Sequence, residues 1–177
     1  MFAALLAGCK KETTVETTTP VAPEATSVAD NADAPVAFAD GKYTDIIKKA
    51  MGDMASGNMD SWSAAYADNA KYIWNNGDSL VGKPAIEKFW RDRRANTLES
   101  LQFSEQIYLP VDVRKPQAKE RAGIWLLTWY KVDATYKGGK KMTQWMNMCY
   151  HFDANDKIDY AVHYRDSGPI AAAQPKK

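Results

Sequence analysis

The chain has 177 residues, of which 45% are hydrophobic and 25% are charged, which are ordinary values for a globular protein. Because 23 Lys and Arg are set against 22 Asp and Glu, no global positive field favours nucleic acid or an acidic membrane surface as a partner. The length suggests one domain with a tail. All six tryptophans lie after residue 60, which places the core in that part of the chain.

The first nine residues have the form of a bacterial processing signal. A short apolar run ends in Leu6-Ala7-Gly8-Cys9. This ending resembles the lipobox of bacterial lipoproteins, in which the cysteine is lipidated and the preceding residues are removed. The run is shorter than the ~20 residues that a transmembrane helix needs. We therefore predict a signal remnant over residues 1–9, lipid attachment at Cys9, and a location in the cell envelope, on the periplasmic side of a membrane or on the outer surface.

Composition divides the rest of the chain into a tether, a domain and a tail. Residues 10–41 are rich in Thr, Ala, Pro, Val, Asp and Glu and contain no tryptophan or tyrosine. Such a segment buries too little apolar surface to offset the entropy of ordering. We predict a disordered tether over residues 10–41, a folded domain over residues 42–170 and a disordered tail over residues 171–177.

Three helices are predicted in the first half of the domain. Apolar residues from Tyr43 recur at i, i+3, i+4 and i+7, and Gly57 ends this first helix. A short second helix begins at Met59. A third opens at Gly82-Lys83-Pro84, since proline suits the first helical turn. A strand, Lys71 to Trp74, lies between the second and third helices.

From Leu98 onward the pattern is typical of strands. The candidates are Phe103 to Leu109, Gly123 to Tyr136, Lys141 to Phe152 and Lys157 to Arg165. Three helices followed by a four-strand meander predict an α+β domain with the helices on one face of a curved antiparallel sheet.

The turn between the two longest strands determines which side chains face the helices. If Gly138 and Gly139 form a two-residue turn, each side chain of the hairpin is assigned to a face. The face predicted to meet the helices pairs Trp129 with Met148, Leu127 with Tyr150 and Trp125 with Phe152. The opposite face pairs Val132 with Trp145, Tyr130 with Asn147 and Thr128 with Cys149.

Three segments in order resemble one family. Residues 57–62 and 66–70 resemble the opening of nuclear transport factor 2-like (NTF2-like) and SnoaL-like domains. Residues 82–90 resemble the third helix of that family, and residues 152–158 and 164–166 resemble its last hairpin and closing strand. The resemblance implies a cone-shaped sheet packed on three N-terminal helices around an apolar cavity. It also implies a homodimer through the outer sheet face, where the sequence predicts an apolar stripe of Tyr130, Val132 and Trp145.

The family includes enzymes, ligand binders and interaction modules, so the fold leaves the function open. The ketosteroid-isomerase branch needs a carboxylate base and two donors for an enolate oxygen. Counted from Gly57 and Phe152, these positions fall on Ala50, Trp74 and Met148, none of which transfers a proton. The isomerase mechanism is therefore not expected.

His163 is the candidate for proton transfer in the cavity. It shares a strand face with Ala161 and Arg165, and this face is predicted to line the pocket. A histidine suits acid–base work near neutral pH, but no orienting carboxylate is identified, so a hydrogen-bonding role is preferred. His151 is predicted to lie on the other sheet face, at the surface.

Three functional hypotheses remain. The preferred one is a non-catalytic binder of a small apolar or aromatic ligand, since such pockets combine aromatic walls with a few polar anchors. Its predicted ligand-binding residues are Trp74, Trp90, Trp129, Met146, Met148 and His163. The second is a lyase, isomerase or hydratase that uses His163, and the third is an interaction or assembly module with a filled core.

No cofactor or metal site is predicted. Two histidines on opposite sheet faces and one cysteine outside the lipobox supply no zinc cluster. The basic group Arg91, Arg93 and Arg94 is interpreted as the solvated side of the third helix.

Overall fold

A computed structural model of the protein describes residues 31–118 and 121–174. The lipobox and residues 10–30 of the predicted tether lie outside this part of the chain. The elements in order are β1 (Val36–Phe38), α1 (Lys42–Ser56), α2 (Met59–Ser63), β2 (Tyr66–Trp74), β3 (Ser79–Val81), α3 (Lys83–Asn96), β4 (Leu98–Val113), β5 (Gly123–Tyr136), β6 (Lys141–Phe152), β7 (Ile158–Tyr164) and α4 (Ser167–Ala173). None of the helices in the described residues has the length and apolar character needed to cross a membrane.

The strands form one curved sheet in the order β1-β4-β5-β6-β7-β2-β3. Neighbouring strands are antiparallel except β2 and β7, which are parallel. A bulge interrupts β4 between Ser104 and Ile107, where Glu105 has a φ of 50°, and bulges of this kind bend a strand. Helices α1 and α3 pack against β4 and β2. The predicted α+β architecture, with helices on one face of a curved sheet, is confirmed.

Helix α1 shows how sequence pattern becomes packing here. The residues that it buries follow helical spacing: Tyr43, Ile47, Ala50, Met51 and Met54. The helix ends at Gly57, whose φ of 84° is left-handed. The Gly57 N–H donates to the Met54 carbonyl at 3.3 Å and the Asn58 N–H to the Asp53 carbonyl at 2.8 Å, the pair of bonds that closes a helix C-terminus.

The β5–β6 hairpin differs from its prediction by one residue. Tyr136 pairs with Lys140 across a three-residue turn, with the Tyr136 N–H donating to the Lys140 carbonyl at 2.8 Å and the Gly139 N–H to the Tyr136 carbonyl at 2.9 Å. Gly138 and Gly139 both have positive φ, 94° and 82°, which permits this longer turn. Because side chains alternate along a strand, a shift of one residue turns one whole strand over.

The predicted faces are therefore wrong for β5 and confirmed for β6. The inner face of β5 is buried and carries Leu126, Thr128, Tyr130, Val132 and Ala134. On β6, the buried side chains of Met148, Tyr150 and Phe152 face inward as expected. Of the stripe predicted for the outer face, Tyr130 and Val132 are buried and Trp145 is exposed.

Both ends of the domain extend beyond their predicted limits. Strand β1 lies within the predicted tether because the apolar segment 36–38 adds to the edge of β4, with Ala37 opposite Asp112. Helix α4 runs into the predicted tail. It is capped by Asp166, whose side chain accepts from the Gly168 N–H at 2.8 Å, and it buries Ile170 and Ala173 against the core.

Candidate ligand-binding site

A cavity of about 80 Å³ lies between the helices and the inner face of the sheet. Its walls are mainly apolar and include five methionines, which are Met51, Met54, Met142, Met146 and Met148. Thioether side chains are flexible and adapt to irregular shapes. A cavity with such walls can widen around a ligand by changes of side-chain rotamer.

The structure brings four of the six predicted ligand-binding residues together. Trp90, Met146, Met148 and His163 line the cavity. Trp74 is buried behind it, with its ring centre 5.0 Å from that of Tyr72 and 5.1 Å from that of Phe89.

Trp129 lies on the outer face of the sheet and is 39% exposed. Its assignment to the pocket was wrong because the three-residue turn reverses the faces of β5.

His163 is buried and hydrogen-bonded in the cavity wall. Its Nδ1 lies 2.7 Å from the Tyr72 hydroxyl, and its Nε2 lies 3.3 Å from the Met146 sulfur. Because a thioether sulfur only accepts, we assign the proton to Nε2, and the Tyr72 hydroxyl then donates to Nδ1. Burial, together with the charges of Arg165 and Arg93, lowers the pKa of His163 to about 3. The imidazole is therefore neutral at physiological pH.

Four buried tyrosines surround the same space. Tyr66, Tyr72, Tyr130 and Tyr150 all line the cavity, and burial raises the pKa of each phenol well above its ordinary value. The Tyr150 hydroxyl donates to the Met148 sulfur at 3.1 Å. Among the described residues, the hydroxyls of Tyr66 and Tyr130 have no hydrogen-bond partner, although both side chains are at least 96% buried by area (4% and 3% exposed). These groups were not identified from the sequence.

Two arginines also reach the cavity. Arg165, at the end of β7, lines it as its position beside His163 predicted. Arg93 lines it as well, so its assignment to the solvated side of the third helix was wrong. The signal for Arg93 was present, because it follows buried Ile86 and cavity-lining Trp90 at helical spacing (i, i+4, i+7).

The other two members of that basic group have different partners. Arg91 forms ion pairs with Glu87 and Asp60 near the surface. Arg94 donates to the Met54 and Ala55 carbonyls at 3.1 and 2.9 Å and so binds the last turn of α1.

His151 lies on the outer face, as predicted, but it is buried rather than at the surface. Its Nδ1 lies 2.5 Å from an Asp159 oxygen and its Nε2 lies 3.0 Å from the Ala122 carbonyl oxygen. The Trp125 ring covers it, with ring centres 5.1 Å apart. This histidine is thus structural and remote from the cavity.

In residues 31–118 and 121–174, no group of three or more His, Cys, Asp or Glu side chains is arranged to hold a metal ion. The cavity's polar groups are tyrosine, histidine, tryptophan and arginine, whose chemistry in this setting is hydrogen bonding.

No family model matches the sequence, and no curated protein matches it. Solved structures are similar in fold. A candidate polyketide cyclase from Xanthomonas campestris pv. campestris gives a TM-score of 0.59 at 14% identity, over 75% of this chain and 96% of that chain. An NTF2-like protein from Burkholderia pseudomallei gives 0.59 at 11% identity, over 76% and 98%. The chain has the NTF2-like fold.

TerC, co-crystallised with polyporic acid, is a further similar structure, with a TM-score of 0.57 at 8% identity over 74% of this chain and 96% of that chain. Structural similarity at such low sequence identity shows the fold alone, so the chemistry has to be argued from the site itself. Of the three positions counted onto the isomerase acid–base groups, Ala50 and Met148 line the cavity and Trp74 lies behind it.

Proposed function

We propose that this NTF2-like domain binds a small, mainly apolar or aromatic molecule in its cavity and does not convert it chemically. The observation that carries the proposal is a pair of tyrosine hydroxyls, on the buried side chains of Tyr66 and Tyr130, which belong to the lining of an apolar cavity and have no hydrogen-bond partner in the described residues. Buried polar groups in a filled core are almost always hydrogen-bonded. Unpartnered ones at a cavity wall favour a ligand that supplies the partner.

The electrostatics of the cavity favour binding over catalysis. An effective general acid or base has a pKa near the working pH. The pKa of His163 is lowered to about 3 and that of Tyr72 is raised well above 10. Both side chains therefore stay neutral near pH 7, and neither readily takes up or releases a proton. The described residues that line the cavity include no Asp or Glu to orient His163 as a base. The cavity thus offers no acid–base group of suitable pKa for the lyase, isomerase or hydratase alternative. The unpartnered hydroxyls of Tyr66 and Tyr130 argue against the other alternative, an assembly module with a filled core.

Native mass spectrometry of the protein purified without ligand exchange tests the proposal. We expect a bound organic molecule that denaturing conditions release unchanged, or binding of members of an apolar compound panel that quenches tryptophan fluorescence. An empty protein that binds no member of the panel would contradict it.

We also propose that Cys9 carries a lipid and that residues 10–30 link this anchor to the domain. The support is the lipobox-like sequence Leu6-Ala7-Gly8-Cys9 and the polar composition that follows it. On this proposal the domain works in the cell envelope, at a membrane surface.

A homodimer through the outer sheet face is the third part of the proposal. The exposed apolar side chains on this face include Ile107, Trp129, Trp145 and Tyr164. Ile107 lies opposite Trp129, which lies opposite Asn147, which lies opposite Tyr164. These four residues form a row across four strands in which Asn147 is the polar member, and Trp145 lies beside the row, two residues before Asn147. Contiguous exposed apolar surface favours an interface, and a second copy would cover this row.

A further inference from the structure

Two arginines of the cavity differ from the other arginines of the described residues in their partners. Arg93 and Arg165 form no ion pair with a carboxylate in this part of the chain. The others are held by acceptors of the protein: Arg91 by Glu87 and Asp60, Arg114 by Asp112, Arg121 by Asp159, and Arg94 by the carbonyls of Met54 and Ala55.

Aromatic rings hold the two guanidinium groups in place. Arg93 donates from Nη2 to the Tyr136 hydroxyl at 3.0 Å, and its Cζ lies 5.7 Å from the centre of that ring. The Arg165 Cζ lies 5.4 Å from the centre of the Trp74 ring. In the described residues the Arg165 side chain makes no hydrogen bond. Since a guanidinium has five N–H donors, most of the donors on these two side chains remain available to a ligand.

The cavity has a net positive charge with no internal counter-charge. Its described lining contains both arginines and no acidic residue. Burial lowers the pKa of Arg165 and the charge of Arg93 lowers it further, while Tyr72 and the Asp78 carboxylate, which is outside the cavity lining, act in the opposite direction. The charges of both arginines also lower the pKa of His163. Positive charges between apolar walls raise the local concentration of anions.

The indole N–H of Trp90 is a third hydrogen-bond donor in the cavity wall and also favours a ligand that accepts hydrogen bonds. Two indole nitrogens, Trp74 Nε1 and Trp90 Nε1, are buried without a hydrogen-bond partner among the described residues, and Trp90 is the one of the two that belongs to the cavity lining. Trp90 precedes Arg93 by one turn of α3, and its ring centre lies 6.5 Å from that of His163. Tryptophan and arginine are donors only, so the group that satisfies them must be an acceptor.

We propose that the ligand is an organic carboxylate whose apolar or aromatic body lies against the methionines and whose anionic group is bound by Arg93 and Arg165. The planar guanidinium suits a carboxylate because it can donate two parallel hydrogen bonds. Hydrogen bonds between charged groups are also stronger than neutral ones. This inference rests on the proposed binding function and specifies the class of ligand.

Matched pairs of carboxylates and their primary amides test it. The probes are cinnamate and cinnamamide, 4-phenylbutyrate and 4-phenylbutyramide, and octanoate and octanamide, measured by calorimetry at pH 7.5 and fixed ionic strength. The variants are Arg165→Gln and Arg93→Gln, with Arg91→Gln as the control, since Arg91 lies on the same helix and pairs near the surface. Circular dichroism checks that each variant is folded; Arg165→Gln removes no intramolecular hydrogen bond of the described residues, so it remains informative if Arg93→Gln is unstable.

We expect the carboxylate to bind at least about ten-fold more tightly than its amide in one pair or more. Each cavity variant should weaken the carboxylate by about ten-fold and change the amide less than about two-fold, whereas Arg91→Gln should change neither. Equal affinities for acid and amide in the wild type, or equal losses for both in the variants, would overturn the carboxylate inference and leave the binding function intact. Failure of every probe to bind would overturn the binding function as well.

Discussion

The hydrogen bond of 2.7 Å between the Tyr72 hydroxyl and His163 Nδ1 joins the parallel strands β2 and β7 inside the core. Both partners are buried, and burial keeps both neutral. The bond therefore supports the cavity wall only while His163 is uncharged, which links the stability of the domain to pH.

The first prediction concerns this link. The pKa of His163 is about 3 in the folded protein, against 6.5 for an unperturbed histidine. Between these pH values the unfolded chain binds a proton at His163 that the folded chain does not. The contribution of neutral His163 to the stability of the fold is therefore fully present above pH 6.5 and is lost as the pH falls. The difference in unfolding free energy between wild type and His163→Gln should shrink by up to about 1.4 kcal/mol per pH unit in this window. Urea denaturation from pH 7.5 to pH 4.5 measures it; curves that stay parallel would contradict the assignment.

The second prediction separates binding from catalysis at His163. If the domain only binds its ligand, His163→Gln acts through the cavity wall, because both ring nitrogens of His163 are already paired with Tyr72 and Met146. The affinity should then change by at most about ten-fold, the equivalent of about one hydrogen bond. Binding is measured by quenching of tryptophan fluorescence, and conversion by mass spectrometry of the recovered ligand. Conversion of a ligand by the wild type that His163→Gln stops without weakening binding would show that the domain is an enzyme.

The third prediction concerns Trp90, which is partly exposed but contacts Trp62, Tyr72 and His163. Trp90→Ala should lower the unfolding free energy by about 3 kcal/mol, since truncation of a large aromatic side chain leaves a cavity. Trp90→Phe should cost less, under about 1.5 kcal/mol, because it keeps most of the ring and removes a buried donor that has no partner. Similar losses in both variants would show that the indole nitrogen has a partner in solution.

The fourth prediction concerns the outer face of the sheet. If a second copy covers the row that contains Trp129 and Tyr164, then Trp145→Glu beside it should give a folded monomer, because a buried unpaired carboxylate is costly. Lys141→Glu, on the same face of β6 but near the turn, is the matched control and should leave the dimer intact. Sedimentation velocity at micromolar concentration measures both. A monomeric wild type would remove the basis of the prediction.

The fifth prediction concerns Cys9. The wild-type protein, expressed with a complete signal peptide, should sediment with membranes, while Cys9→Ser should remain in the supernatant. Several acyl chains hold a protein stably at a bilayer, whereas one alone binds marginally. Cys149→Ser is the control, because Cys149 lies in the sheet. Identical partitioning of the wild type and Cys9→Ser would contradict the lipid anchor.

Local patterns predicted the extent of several elements well. Strands β5 and β6 begin and end where alternation and the glycine turn indicated. The faces of β5 were nevertheless predicted wrongly, since two adjacent glycines permit turns of two or three residues and the difference reverses a strand. Because the turn is one residue longer than predicted, Trp129 lies on the outer face of the sheet and Tyr130 lines the cavity, the reverse of the prediction.

Long-range pairing was beyond sequence reasoning in two places. Strand β1 is only three residues long and depends on β4, some 75 positions later. The parallel pair of β2 and β7 places Tyr72 beside His163, and no local pattern connects segments so far apart. Arg93 could have been predicted, because its helical spacing from Trp90 is visible in the sequence. It was assigned to the solvated side of the helix because a cluster of basic residues is usually solvated.

The parallel pairing of β2 with β7 also sets the order in which this domain can fold. Residues Lys71–Trp74 find their partners Tyr160–His163 about 90 positions along the chain, so closing the sheet around the cavity carries the entropy cost of a long loop. Contacts of such separation slow folding. While a chain is being synthesised or moved across a membrane, helices α1 to α3 and strand β2 emerge long before β7, so the cavity is assembled only after the last strand is available. A truncation within β7 should therefore abolish the pocket as a whole, even though most of the residues that line it lie earlier in the chain.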